Sequence, residues 1–230
     1  MIMENNIYLY GMILLTNSFL LQNDYPEADT YSEIKEKYKL PGGETGTCAT
    51  VLASLGCNVK MDGTYMGINT FPAIKEFYSD KTVDVSSLHF DKNFVGLEDY
   101  VIIDNTTRTP FGTFEKFFSD GAKRWSVPKE DDIIEASVVG LDPFFQEQST
   151  EAAKLCKKHN KPYVVIDCPF DSELHKFSSI NILSDEFIGT YYKDADRIEL
   201  FKEYQKNTDG LTIFTYGAKP LMYGRKGEEI

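Results

Sequence analysis

A glycine pair, Gly42-Gly43, stands behind Pro41 and directly before a run with helical spacing, residues 44–55. Two consecutive residues without a Cβ let the backbone approach a ligand, so that N–H groups can meet hydroxyls; a plain loop-to-helix turn uses the same pair. Asn17, near the end of the first apolar run, carries an amide that both donates to and accepts from a hydroxyl, or else faces water. Arg108 lies in the segment NTTRTPFG. Its guanidinium can reach an anionic or hydroxyl-rich ligand, or point into solvent as a hairpin residue. Glu186 follows Ser184 by two positions. A carboxylate there either meets a hard cation such as Mg²⁺ or serves as the first-turn acid of a helix capped by Ser184. Thr215 and Gly217 close an apolar run, at the end of a strand where open α/β sheets place ligands; a tight turn explains Gly217 equally well. His89, His159 and His175 show no metal spacing and read as structural or surface residues.

These residues need a scaffold. Residues 7–15 (IYLYGMILL) read as a buried strand, being short, apolar and aromatic-rich. In 44–55, Cys48, Val51, Leu52 and Leu55 fall at helical spacing, with Gly56 as the C-terminal stop. A strand over 58–67 and a helix over 70–78 follow. From 82 to 118 the helical period disappears, and segments such as VDVSSLHF and DYVIID alternate polar and apolar residues, as antiparallel strands with one wet face do. Strands at 136–141, 162–167, 180–183 and 211–215 then alternate with helices at 148–159 and 195–206. The Lys/Glu run SEIKEKYK reads as a solvated helix face. The expected architecture is α/β, a doubly wound, mostly parallel sheet covered by helices on both faces. A small antiparallel β-lid would be drawn from about 16–28 and 83–118, all within a single domain over 1–230.

With 230 residues, 42% of them hydrophobic, the chain can bury a sizeable core. A net charge of -12 argues against duplex nucleic acid and anionic membrane as partners. Cys48, Cys57, Cys156 and Cys168 form no CxxC pair and are expected as reduced core thiols. No apolar run reaches membrane-spanning length, and a cytoplasmic protein is expected.

The segment PGGETGTCATVLASLG resembles the first motif of the ribokinase-like (PfkB) carbohydrate kinases, a Gly-Gly pair before a helix ending in Leu-Gly. Gly42, Gly43, Ala49, Leu55 and Gly56 fit, while Thr47 stands where that family has Asn. MDGTYMGINT is similar to its next strand, with Asn69 in place of Asp, and YVVIDCPFD to a strand carrying an Asp, here Asp167. INILSDEFIG resembles its Asn-x-x-Glu element, with Glu186 fitting and Leu183 replacing Asn. LTIFTYGAKPLMYGRKGE resembles its nucleotide-site strand and hairpin through Thr215 and Gly217, with Pro220 where Gly is usual. The five elements occur in order along almost the whole chain.

The resemblance implies an ATP- and Mg²⁺-dependent kinase of a small sugar or sugar-like alcohol. Asn17, Gly42, Gly43, Thr47 and Arg108 would bind substrate, Thr215 and Gly217 the nucleotide, and Glu186 the metal. The family's Asp-Thr-x-Gly-Ala-Gly-Asp motif, which carries the catalytic base, is expected beyond residue 230, so no catalytic residue is assigned and this chain alone is expected to be inactive. A nucleoside kinase of the same fold is one alternative. A non-catalytic metabolite-binding relative is another, favoured by the departures at Asn17, Thr47, Asn69 and Leu183. The β-lid is a possible homodimer surface.

Overall fold

The computed structural model describes residues 6–228. The apolar run expected as one strand over 7–15 is divided. Strand β1 (Asn6–Gly11) ends where Gly11 leaves no space for a side chain: a Cβ there would stand 2.1 Å from Oδ2 of Asp142. The next two N–H groups turn to side chains, Met12 donating to the Asp142 carboxylate at 2.5 Å and Ile13 to Thr64 Oγ1 at 2.8 Å. Thus the chain leaves the first sheet and continues as β2 (Leu14–Leu21) in a second one.

The run SEIKEKYK is not a helix face. It lies in β3 (Ile34–Gly42), which pairs antiparallel with β2 from Leu14 opposite Gly42 to Leu21 opposite Ile34. As an edge strand exposed over 34–40 it has no buried face to stamp an alternation on the sequence, and its lysines deter further pairing. Helix α1 (Gly43–Ser54), β4 (Asn58–Gly63) and α2 (Thr70–Phe77) follow close to expectation. Gly56 takes φ +82 just past α1.

The stretch expected to supply the rest of the lid is mixed. β5 (Val83–Asp84) pairs in parallel with β4 and belongs to the large sheet. β6 (Glu98–Ile103) and β7 (Arg108–Gly112) form an antiparallel hairpin in the lid, followed by a short helix, α3 (Phe114–Ser119). The lid order is β3-β2-β6-β7, with β2 and β6 parallel to each other at its centre.

Then come α4 (Glu130–Glu135), β8 (Val138–Leu141), α5 (Glu147–Lys158), β9 (Tyr163–Ile166), α6 (Glu173–Lys176) and β10 (Ile180–Leu183). After them come α7 (Asp185–Tyr191), α8 (Arg197–Lys206), β11 (Leu211–Tyr216) and β12 (Lys219–Gly224). The large sheet runs β12-β11-β10-β9-β8-β1-β4-β5, parallel except for β12 against β11. This is a doubly wound α/β architecture with a small lid.

Helices α1 and α2 cover one face of β1 and β4 around Leu9, Val59, Met61 and Ile74. On the opposite face α4, α5 and α6 pack over β1, β8 and β9, and α7 and α8 carry that layer across β10 and β11. The first face is not continued. Along β8 to β11 closed residues such as Val139, Val165, Leu183 and Phe214 alternate with partly exposed ones such as Val164, Ile166, Ile182 and Ile213. On β12, Leu221 and Tyr223 are 52% and 62% exposed. Helices were expected on both faces, and this half of the sheet carries them on one.

Cys156 and Cys168 are core thiols as expected, but Cys57 is only partly buried and Cys48 is exposed on α1. His175 is fully buried between Asn181 Nδ2 and the Tyr204 carbonyl, whereas His159 meets Glu130 near the surface. Among the described residues no helix is long and apolar enough to cross a membrane.

Candidate functional site

At the carboxyl ends of β1, β8 and β9 a cleft of about 160 Å³ opens beside α1, lined by Glu44, Thr45, Cys48, Asp142 and Ile166 among others. The glycine pair directly precedes the α1 residues that line it, Glu44, Thr45 and Cys48. Gly43 takes φ +72, and a Cβ on it would stand 2.4 Å from the Met12 carbonyl, so no other residue fits without displacing that backbone. A Cβ on Gly42 would stand 1.9 Å from Thr16 Oγ1. With both side chains absent, α1 starts against the β1–β2 link, and Thr45 N donates to the Met12 carbonyl at 3.1 Å.

Asp142 follows β8 and is 1% exposed. Its carboxylate accepts from Met12 N at 2.5 Å and Phe144 N at 3.1 Å, and the Thr45 hydroxyl also bonds to it. Burial pushes its pKa up to about 7, against the pull of the N–H donors, with the nearby Glu44 charge adding to the rise. Asp142 is almost wholly enclosed and its oxygens are engaged by those three donors, so it braces the part of the cleft wall that it forms.

Glu44 is exposed at the mouth of the cleft. Desolvation by the crowded walls raises its pKa first; Asp167 and Glu186 raise it further, and Arg108 opposes them. Glu44 is therefore within electrostatic reach of Asp167, Glu186 and the lid's Arg108, and Asp167 of Glu186. Arg108 forms no ion pair among the described residues. Asp167, just past β9, takes φ +43, an uncommon conformation for a residue with a side chain. It accepts from Ser184 N at 2.7 Å and Ser184 Oγ at 2.9 Å, while Ser184 Oγ accepts from Phe187 N at 3.0 Å to cap α7. Burial raises the Asp167 pKa, and Glu186, the second residue of α7, adds to it. No group of three or more His, Cys, Asp or Glu among the described residues is arranged to hold a metal by itself. Glu186 and its neighbours nevertheless offer the carboxylate oxygens that suit Mg²⁺, whose other positions water and phosphate normally fill.

The residues singled out in the sequence separate into groups. Gly42 and Gly43 root α1 beside the cleft without lining it, Arg108 is exposed on the lid and acts on Glu44 through its charge, and Thr47 is exposed on α1. Asn17 lies elsewhere. It donates to Glu98 Oε2 at 3.0 Å and to the Asp99 carbonyl at 3.3 Å, and Glu98 Oε1 accepts from Asn69 at the start of α2. Strand alternation turns Asn17 to the opposite lid face from Gly42 and Thr16, which corrects the expectation of one shared pocket. Thr215 donates to the Leu183 carbonyl at 3.1 Å, and Leu183 itself is fully buried core. Gly217 takes φ +60 in the turn between β11 and β12, with open space around it, so the turn is what requires it. Sequence reasoning missed Glu44 and Asp142, while the Ser184 cap of α7 was legible in it. An Asp directly after the run VVGL and a Glu directly after the glycine pair were the available signals.

A doubly wound sheet, a four-stranded lid and carboxylates gathered at the strand ends define a class of fold with a ligand site in a known place. No family model matches the sequence, and no curated protein matches it. Solved structures do. A putative ribokinase from Agrobacterium tumefaciens matches with TM-score 0.78 at 16% identity, over 97% of this chain and 74% of that one. The ribokinase of Arabidopsis thaliana, complexed with ribose and ATP, matches with TM-score 0.73 at 15% identity, over 98% and 76%. A nucleoside kinase from Methanocaldococcus jannaschii, described as an archaeal member of the ribokinase family, gives 0.68 at 16% identity, over 97% and 74%. The fold of this chain is ribokinase-like.

Proposed function

We propose that this chain binds a small sugar or sugar-like alcohol between the Gly42-Gly43 turn and the lid, and takes part in phosphoryl transfer to it from ATP. The observation that carries the reading is the convergence of Glu44, Asp167, Glu186 and the lid residue Arg108 at the carboxyl ends of the parallel strands. Such transfer depends on positioning and charge neutralisation more than on covalent chemistry. The glycine pair brings backbone N–H groups and the first turn of α1 to the ligand, with Thr47 on the same helix. Arg108 supplies positive charge from above. Glu186, presented by the Ser184 cap, would hold Mg²⁺, which when bound draws charge from the phosphate oxygens. Thr215 and Gly217 lie at the end of β11, where a nucleotide edge would rest. No proton acceptor is assigned within residues 6–228, because Asp142 is closed off by its three donors.

A non-catalytic binding role is the second reading. Leu183 is core where the resemblance expects Asn, and Asn17 and Asn69 are both committed to Glu98. The test is calorimetric titration of free sugars and nucleosides, paired with an ADP-release assay containing Mg²⁺ on the same panel. Binding with turnover supports the kinase and no binding removes both readings; the second is selected only if a longer reading frame also binds without turnover.

A further inference from the structure

Direct register decides which lid residues stand on one face. Thr16 of β2 pairs with Asp99 of β6, and Asp99 with Gly112 of β7, so the three share a side of the lid. Arg108 belongs to the same side, opposite Ile103, and its charge acts on Glu44 at the mouth of the cleft. This is therefore the lid face turned toward the start of α1, while Asn17, Glu98 and Tyr100 turn the other way. Thr16 Oγ1 fills the space of a Gly42 side chain, and Asp99 stands on the next strand over. On the far side of Asp99, Phe114 Cε2 lies 2.5 Å from where a Gly112 Cβ would be. Directly opposed Cβ positions are about 5 Å apart, so the Phe114 ring stands beside the Asp99 carboxyl group. That group is partly buried, and its Oδ1 is enclosed and bonded to nothing else among the described residues. Burial raises its pKa, against the pull of the Thr16 hydroxyl. Glu98, one residue back on the opposite face, differs: its two oxygens accept from Asn17 and Asn69. An enclosed carboxylate oxygen without a donor costs stability, and proteins keep such groups where function uses them.

We propose that Asp99 is the residue that selects the ligand: its carboxylate accepts from two neighbouring hydroxyls of the sugar, whose C–H face rests on Phe114. This assignment rests on the sugar-binding reading above and names the group within that site that sets specificity. The terminal torsion of an aspartate is broad, so a hydroxyl pair can turn the carboxylate and give the enclosed oxygen a donor. Hydrogen bonds from hydroxyls to a carboxylate are about twice as strong as neutral ones. A site that leaves a polar group unpaired when a hydroxyl is missing discriminates sharply against ligands lacking it. The ring supplies the apolar half of the contact, and a sugar presents both halves, hydroxyls at its edge and C–H groups on its face. Thr16 holds the carboxylate from the Gly42 side, so the acceptor is aimed before the ligand arrives. Arg108 stands four residues farther along the hairpin, about 13 Å away, and leaves the Asp99 charge free for the hydroxyls.

Calorimetric titration of the whole chain with D-ribose, D-fructose and D-glucose tests it, together with thermal melting followed by circular dichroism. Asp99→Ala should weaken the sugar that binds about 30-fold, equal to ~2 kcal/mol. Asp99→Asn, which keeps one acceptor oxygen, should weaken it about tenfold. Tyr100→Ala, on the opposite face of the same strand, should leave the affinity unchanged. Since the unpaired oxygen burdens the fold, both Asp99 variants should melt at the wild-type temperature or above it, whereas a carboxylate kept for structure would lower it. Sugar affinity that survives both Asp99 substitutions overturns the assignment and leaves the sugar-binding reading standing. Loss of affinity with a lowered melting temperature in both variants overturns it as well, because the carboxylate then supports the lid. A wild type that binds none of the three sugars overturns the assignment along with the reading it rests on.

Discussion

Asp142 and Met12 are joined, carboxylate to backbone N–H, at 2.5 Å across 130 positions of sequence. With Phe144 N and the Thr45 hydroxyl on the same carboxylate, one side chain ties β8, the lid root and α1 together. Asp142→Ala leaves those donors buried and unpaired, and should cost about 3 kcal/mol in urea denaturation near pH 4; Asp142→Asn, which keeps an acceptor oxygen, should cost about 1 kcal/mol at the same pH. Equal losses from the two variants would mean that the bonds contribute little.

The same carboxyl sets a pH slope. Its folded pKa of about 7 lies above the ordinary value of 3.8, so between the two the folded protein keeps a proton that the unfolded chain has released. The stability it contributes is full below the lower value and is lost as pH rises through the upper one. Denaturation profiles from pH 4 to 8 should show the wild type losing up to about 4 kcal/mol relative to Asp142→Asn. Parallel profiles would exclude the raised pKa.

His175 should act in the opposite direction. Burial lowers its pKa below the ordinary 6.5, while its bond to the Tyr204 carbonyl partly opposes this. Its contribution is therefore present above 6.5 and lost as pH falls below it, with a slope of at most about 1.4 kcal/mol per pH unit. In His175→Gln that part of the acid slope should vanish from urea melts.

Two glycines with similar backbone angles should respond differently to alanine. At Gly56, φ +82 with nothing within 4 Å, Gly56→Ala carries only the conformational penalty, about 1 kcal/mol. At Gly43 a Cβ also meets the Met12 carbonyl at 2.4 Å, so Gly43→Ala should cost at least about 2 kcal/mol more and distort the cleft. Matching melting temperatures for the two variants would contradict the geometry.

Arg108→Gln removes the lid's positive group whose charge acts on Glu44. Binding of ATP, followed by calorimetry, should weaken about tenfold, equal to ~1.4 kcal/mol. Binding of an uncharged sugar should change less. Unaltered ATP affinity would place Arg108 outside the phosphate path.

Much of this architecture is legible in the sequence, because buried strands such as YVVI and INIL and the helix after Gly43 leave strong local patterns. β3 is not, since IKEKYK is wet on both faces and its lysines alternate for reasons of the edge, not of a core. Nor is the bare sheet face: a strand with one exposed apolar side has the same composition as one enclosed on both. The glycine pair is recognisable because a missing Cβ is written in the residue type. Asn17 misleads for the converse reason: an amide's spelling does not tell which lid face it turns to, and Glu98, which captures it, is remote in sequence.

The β1–β2 link has a mechanical consequence. Met12 is gripped through both its N–H and its carbonyl, Ile13 through its N–H, and Leu15 N reaches the Leu97 carbonyl where β6 begins. The lid is therefore a blade clamped at its root, with no loose joint at residues 11–15 about which it could swing. Whatever admits and releases a ligand must come from torsion of the blade farther out, where the β2–β3 register slips between Leu20 and Leu21. Such torsion has small amplitude at the Gly42-Gly43 root and grows toward the far end of the hairpin, where Ile103 pairs with Arg108.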